Sequence, residues 1–125
     1  MITMILEKLQ AIIVDLDVDA ILLTGLENPT AAKNLKYVTG YSGSFGFAII
    51  GENYQYFISD FRYRDQVKQE VPNFTFVEIE GGLLKTLQSV VEKEDIKTLG
   101  FDKKIRVSEY EIYSDLTVEL SGLDN

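Results

Sequence analysis

The chain contains no cysteine and no histidine, only two prolines, and 12 Lys and Arg against 20 Asp and Glu, for a formal charge of -8. Without cysteine there is no disulfide framework, no thiolate metal site and no cysteine nucleophile. Without histidine there is no serine–histidine triad, no imidazole acid/base chemistry and none of the commonest zinc or manganese sites. Any catalysis by this chain alone would fall to carboxylates. The basic residues are scattered, the longest group being Lys103, Lys104 and Arg106, whereas a binder of nucleic-acid phosphates needs clustered Lys and Arg to replace counterions. No apolar run approaches the roughly 20 residues of a membrane span. At the N-terminus, Ile2, Met4, Ile5 and Leu6 are interrupted by Glu7 and Lys8 with no basic segment before them, unlike a signal peptide. The expectation is a cytoplasmic protein with neither nucleic acid nor membrane as partner.

What is present reads as one soluble domain spanning residues 1–125, with 46% apolar and 26% charged residues. Apolar residues at Ile5, Leu6, Leu9, Ile12, Ile13 and Leu16 follow the helical spacing and predict a first helix from Met4 to Leu16. Ala20 to Thr24 is a short apolar run, as in a central strand covered on both faces. Asn28 followed by Pro29 starts a helix that should stop at Gly40. Phe45 to Ile50 and Tyr54 to Ser59, joined by Gly51-Glu52-Asn53, predict an antiparallel hairpin. Tyr54 and Tyr56 are expected to pack one sheet face, and Phe74 and Phe76 likewise.

Asp60 is placed to cap a helix from Phe61 to Glu70, with Pro72 beyond its end. Phe74 to Ile79 is a fourth strand, Leu83 to Val91 carries one apolar helical face, and Thr98 to Phe101 is a fifth strand. Ser108 and Glu111 form a capping box that opens a last helix, whose end is undefined between Leu116 and Leu120; Ser121 to Asn125 reads as a tail or linker. This order predicts a three-layer α/β/α domain with a mixed, mostly parallel five-stranded sheet, one strand antiparallel through the hairpin. If strands 1, 3, 4 and 5 are parallel, residues 25–28, 41–44, 60–63 and 80–82 and Asp102 converge on one edge, the edge where open α/β sheets bind ligands.

The individual motifs are weak. The Gly40, Gly43, Gly46 spacing lies between a helix and a strand, the reverse of a dinucleotide fingerprint. Gly40-Tyr41-Ser42-Gly43-Ser44 fails as a nucleophile elbow, because Ser44 replaces the second glycine and no histidine activates Ser42. Asp15, Asp17 and Asp19 resemble the start of a calcium loop, but Ala20 and Leu26 stand where the turn glycine and the bidentate Glu belong. Asp60 is most simply a cap, and Arg62 a partner for Asp65 or Glu27.

The combination is more specific. Asn34-Leu35-Lys36-Tyr37-Val38-Thr39-Gly40-Tyr41-Ser42-Gly43-Ser44, followed by Ser59-Asp60-Phe61-Arg62-Tyr63, resembles the N-terminal domain of the creatinase/prolidase metallopeptidases, and the likeness runs from Leu6 to Tyr110. The resemblance implies a ribonuclease-H-like fold and the N-terminal part of an Xaa-Pro dipeptidase or aminopeptidase P. It also implies two divalent metal ions, manganese by resemblance, in a separate C-terminal pita-bread domain that supplies Asp, His and Glu ligands. This chain would then hold no catalytic residue and be inactive alone. Its expected partners are its own catalytic domain, a second copy in a homodimer, and short proline-containing peptides admitted to the active site. The candidate substrate-access residues are Tyr41, Ser42, Ser44, Phe45, Asp60, Arg62 and Tyr63. Phe61 stands where the family has Gly, and Glu27 to Lys33 is longer than the common connection. Two other readings compete: a stand-alone peptide- or protein-binding module without enzyme activity, and a carboxylate-based nuclease.

Overall fold

In the computed structural model, residues 2–24, 39–41, 45–102 and 107–123 are described. The helix expected between Asn28 and Val38 lies outside them. The elements are α1 (Ile2–Asp15), β1 (Ala20–Thr24), β2 (Phe47–Gly51), β3 (Gln55–Ser59), a 3-10 turn (Phe61–Tyr63), α2 (Arg64–Glu70), β4 (Thr75–Glu78), α3 (Leu83–Lys93), β5 (Thr98–Asp102), α4 (Val107–Tyr113) and β6 (Glu119–Leu123).

The short connection after Gly51 reverses the chain, Gly51 N–H donating to the Tyr54 carbonyl at 2.9 Å. Strand β2 is therefore antiparallel to β3, and also to β1 on its other side. Every other pairing is parallel, because α2, α3 and α4 each carry the chain back to the same end of the sheet before the next strand. The strand order is β4-β3-β2-β1-β5-β6.

This sheet has six strands, not five. The sixth comes from Glu119–Leu123, the region read from sequence as a helix end and tail. A strand of this composition has little local signal: it gains its ladder only by lying along β5, beginning with Glu119 N–H donating to the Lys97 carbonyl at 2.8 Å. Helix α4 stops at Tyr113 and begins at Val107, one residue before the expected Ser108 cap. The helix expected from Phe61 to Glu70 is also divided, since Tyr63 (φ -104°, ψ 3°) separates a 3-10 turn from α2.

Alternation along the strands sends side chains into two cores. Ile21, Ala48, Ile50 and Phe57 face α1 and α2, meeting Ile13, Val67, Val71 and Phe74. Ala20, Leu22, Ile49 and Ile58 face the other way, meeting Leu87, Val90 and Val91 of α3 and Tyr113 of α4. Tyr54 and Tyr56 pack on the α3 side, and Phe74 and Phe76 on the α1 side. Each fully buried side chain of this size contributes about 1.5–3 kcal/mol of transfer free energy. The apolar face of α1 is narrower than its spacing suggested: Leu9 and Ile13 point inward, while Ile12 and Leu16 are exposed. Among the described residues no helix is long and apolar enough to cross a membrane.

Candidate functional site

Because β1, β3, β4 and β5 run parallel and β2 runs against them, the register lines up Thr24 with Phe47, Phe47 with Ile58, and Ser59 with Glu78 along one edge. The segments bearing Tyr41, Phe45, Asp60 to Tyr63 and Glu80 to Gly82 leave the sheet there, as the topology argument expected. Ser42, Ser44 and the 25–28 connection lie outside the described residues.

The backbone reaches Tyr41 through Gly40, whose φ of 84° suits glycine. Tyr41 itself is a core residue, 2% exposed, its ring 4.7 Å from that of Phe57. Its hydroxyl donates to the Phe45 carbonyl at 3.0 Å, and burial pushes its pKa up. The Ser59 hydroxyl donates to the same carbonyl at 2.7 Å. Two buried side chains from different segments thus hold the Phe45 backbone at the sheet edge. Ser59 was read from sequence only as the first residue of the motif and not as a candidate site residue, and its partner 14 residues away left no local signal.

Phe45 is half-buried, edge-on to Phe47 and 6.3 Å from the Tyr63 ring. Gly46 is required by close approach: a Cβ there would stand 2.6 Å from Phe57 Cζ. Phe61, where the family motif has glycine, is 66% exposed at the rim.

Asp60 caps the 3-10 turn, its Oδ1 accepting from Arg62 N–H at 3.0 Å with extended backbone. Arg62 is paired with Asp60 itself, not with Asp65: its Nε donates to Oδ1 at 3.2 Å and its Nη2 to Oδ2 at 3.3 Å. The Arg62 backbone N–H, followed by the guanidinium, holds the Asp60 carboxyl below its ordinary pKa, and Asp60 raises that of Arg62. The guanidinium lies 5.6 Å from the Tyr63 ring centroid. Arg64, two residues on, is paired with Glu78.

The Asp15 to Asp19 run is a turn. Asp17 adopts φ 59°, and the Asp19 carboxylate accepts from Lys97 and Thr98 N–H at 2.8 and 3.1 Å, tying β1 to β5. Among the described residues no three His, Cys, Asp or Glu side chains come together as a metal site. What the rim can do chemically is present a guanidinium beside aromatic rings.

A sequence profile of the creatinase/prolidase N-terminal domain matches residues 5–124. The chain belongs to this family. It is 39% identical over 98 residues to a curated relative, the uncharacterized peptidase YqhT of Bacillus subtilis (strain 168), covering 78% of this chain and 26% of that protein. An X-Pro aminopeptidase structure from Thermotoga maritima MSB8 superposes with a TM-score of 0.84 at 30% identity, over 95% of this chain and 33% of that one. An Xaa-Pro dipeptidase from Bacillus anthracis shares the fold, with a TM-score of 0.86 at 22% identity over 99% of this chain and 34% of that one. The creatinase/prolidase N-terminal domain seen here thus spans about a quarter of the curated peptidase and a third of the two structures.

Proposed function

We propose that this chain is the non-catalytic N-terminal domain of an Xaa-Pro metallopeptidase, which helps to form a homodimer and selects the short peptides that reach the active site. The observation that carries this reading is the family match across residues 5–124 in a chain covering a quarter to a third of peptidase-length relatives. The two divalent ions would polarise the scissile carbonyl and activate water in the catalytic domain. By the family resemblance their ligands would come from that domain and include a histidine, a residue type this chain does not contain. The contribution of this chain is the carboxyl edge of its sheet, where Phe45, exposed Phe61, Arg62 and Tyr63 form a charged and aromatic rim. Such a rim narrows an entrance and meets a peptide's carboxylate or ring. A cytoplasmic setting suits a chain without cysteine.

The test is to read the gene beyond Asn125, express the protein with and without residues 1–125, and assay Xaa-Pro dipeptides and longer Xaa-Pro peptides with Mn2+, alongside sedimentation. The expected result is hydrolysis by the longer protein, none by this chain alone, and loss of dimer and of length preference when the domain is removed. A stop codon directly after Asn125, or Xaa-Pro cleavage by the 125-residue chain alone, would refute it.

A further inference from the structure

Strand β4 ends the sheet on one side and is paired with β3 alone. Along a strand, alternate residues turn both their N–H and C=O groups to the same side. Ile79 N–H donates to the Ser59 carbonyl at 3.0 Å, which directs Thr75, Val77 and Ile79 toward β3 and leaves Phe76 and Glu78 turned to the open side. Native sheets commonly guard such an edge with lysine, proline, a bulge or an unpaired charge. Residues 75–79 contain no lysine or proline, and their one charge, Glu78, is paired with Arg64 of α2. The apolar side chains of this stretch stay half-buried on both faces of the sheet, Phe76 on the α1 side, Val77 and Ile79 on the α3 side. The opposite edge, β6, differs. Glu119 N–H faces the β5 side, so Leu120 and Gly122 turn outward there. Glu119 and Gly122 are exposed, and Leu120 alone is a half-buried apolar side chain among those described in β6.

We propose that β4 pairs antiparallel with β4 of a second copy, about a twofold axis through Val77, joining two six-stranded sheets into one. This rests on the homodimer part of the reading above and deepens it by naming the surface that forms the dimer. Side chains choose among the registers that set outward residues opposite each other. Glu78 opposite Glu78 brings like charges face to face, which is destabilising. Phe76 opposite Phe76 would require Glu78 to pair with Phe74, whose N–H already donates to the Val71 carbonyl at 3.2 Å. Phe76 opposite Glu78 meets neither obstacle: the two residues exchange both backbone hydrogen bonds, and symmetry repeats the exchange. In that register Val77 meets Val77 as the closer, non-hydrogen-bonded pair. Ile79, opposite Thr75 of the second copy, comes beside a hollow between β4 and α3 lined by Val77, Lys85, Thr86 and Ser89. The same patch is used by both copies, so the contact closes as a dimer and does not propagate into a filament.

The experiment is sedimentation equilibrium of the 125-residue chain over a range of concentrations, for wild type, Val77→Lys, Val77→Glu, Val77→Cys and Thr75→Cys, with Tm for each. Wild type should show a reversible monomer–dimer equilibrium and no larger species. Val77→Lys and Val77→Glu each lose an apolar cross-strand pair and oppose two like charges, and should weaken the dimer about tenfold. An equimolar mixture of the two should restore it, because the charges then face their opposites across the axis. The chain has no cysteine of its own, so mild oxidation reports only the introduced thiols. Val77→Cys should link covalently, its Cα atoms facing each other about 4.5 Å apart. Thr75→Cys, more than about 13 Å from its counterpart, should stay unlinked. Should the charged variants fail to fold, the two cysteine variants decide. A monomeric wild type, species larger than a dimer, no restoration on mixing, or equal linking of both cysteine variants would overturn the inference. A monomeric chain beside a longer protein that dimerises and cleaves Xaa-Pro peptides removes this surface and leaves the peptidase reading intact. A dimer linked through Val77→Cys beside a longer protein without Xaa-Pro activity does the reverse.

Discussion

Gly46 offers a sharp test of how the rim is joined to the core. Its φ lies outside the left-handed region, so replacing it with Ala costs nothing in backbone strain, and the whole effect is steric. The new Cβ would sit 2.6 and 2.8 Å from Phe57 Cζ and Cε1, and 3.1 Å from the Tyr41 ring. Phe57 is fully buried, its ring 4.7 Å from Tyr41 and 6.4 Å from Phe74, so it has little room to turn away. Overpacking of this kind costs about 1–3 kcal/mol, and the stiffer unfolded chain of Ala over Gly returns about 0.4–1 kcal/mol. The expected net loss for Gly46→Ala is about 1–2 kcal/mol, seen as a fall in Tm of roughly 3–8 °C for a domain of this size. Phe57→Leu removes the two atoms that the Cβ would strike. Combining it with Gly46→Ala should therefore be less harmful than the sum of the two changes by about 1 kcal/mol. The assay is urea and thermal unfolding by circular dichroism on the four members of the cycle. An unchanged Tm for Gly46→Ala, or strict additivity with Phe57→Leu, would show that the Phe57 ring does not enforce glycine here.

The Phe45 carbonyl accepts from both Tyr41 and Ser59. Tyr41→Phe and Ser59→Ala should each cost about 1 kcal/mol, and the double variant should lose more than the sum, because only then is the carbonyl without both hydroxyls; additive losses in urea unfolding would contradict this. Tyr54, raised to about 12 chiefly by burial, and Tyr56, raised to about 12 chiefly by its hydrogen bond to Glu94, keep their protons in the fold beyond the ordinary pKa of 10.0. Both pKa values are raised on folding, so their contribution is complete below about pH 10 and lost as pH rises toward 12. Stability measured by urea unfolding should fall across that interval, and Glu94→Gln should bring one phenolate absorbance transition to lower pH. A flat stability profile, or transitions unmoved by Glu94→Gln, would count against these assignments.

Local sequence was enough wherever the physical cause is local. Ala20 to Thr24 reads as a buried strand because its apolar run serves both cores, and Asp60 reads as a cap because its carboxylate closes on the N–H two residues on. The short Gly51 connection forces reversal, and with it the convergence of strand ends on one edge. By contrast, β6 exists only as a partner of β5, and residues 119–123 carry no pattern that would reveal this pairing in isolation. The candidate site divides the same way. Tyr41 was legible as part of a loop motif, yet its ring belongs to the core because it packs on Phe57, distant in sequence, beside the space that Gly46 leaves open. Arg62 was legible as a charged residue of the motif; its bidentate grip by Asp60 appears only in the 3-10 turn that Asp60 caps. Absence of histidine and cysteine, written in the sequence alone, removed imidazole and thiolate chemistry from this chain. Which of its remaining groups stand together at one rim was decided by tertiary structure, because parallel crossovers bring strand ends into register across separations that local propensity does not sense.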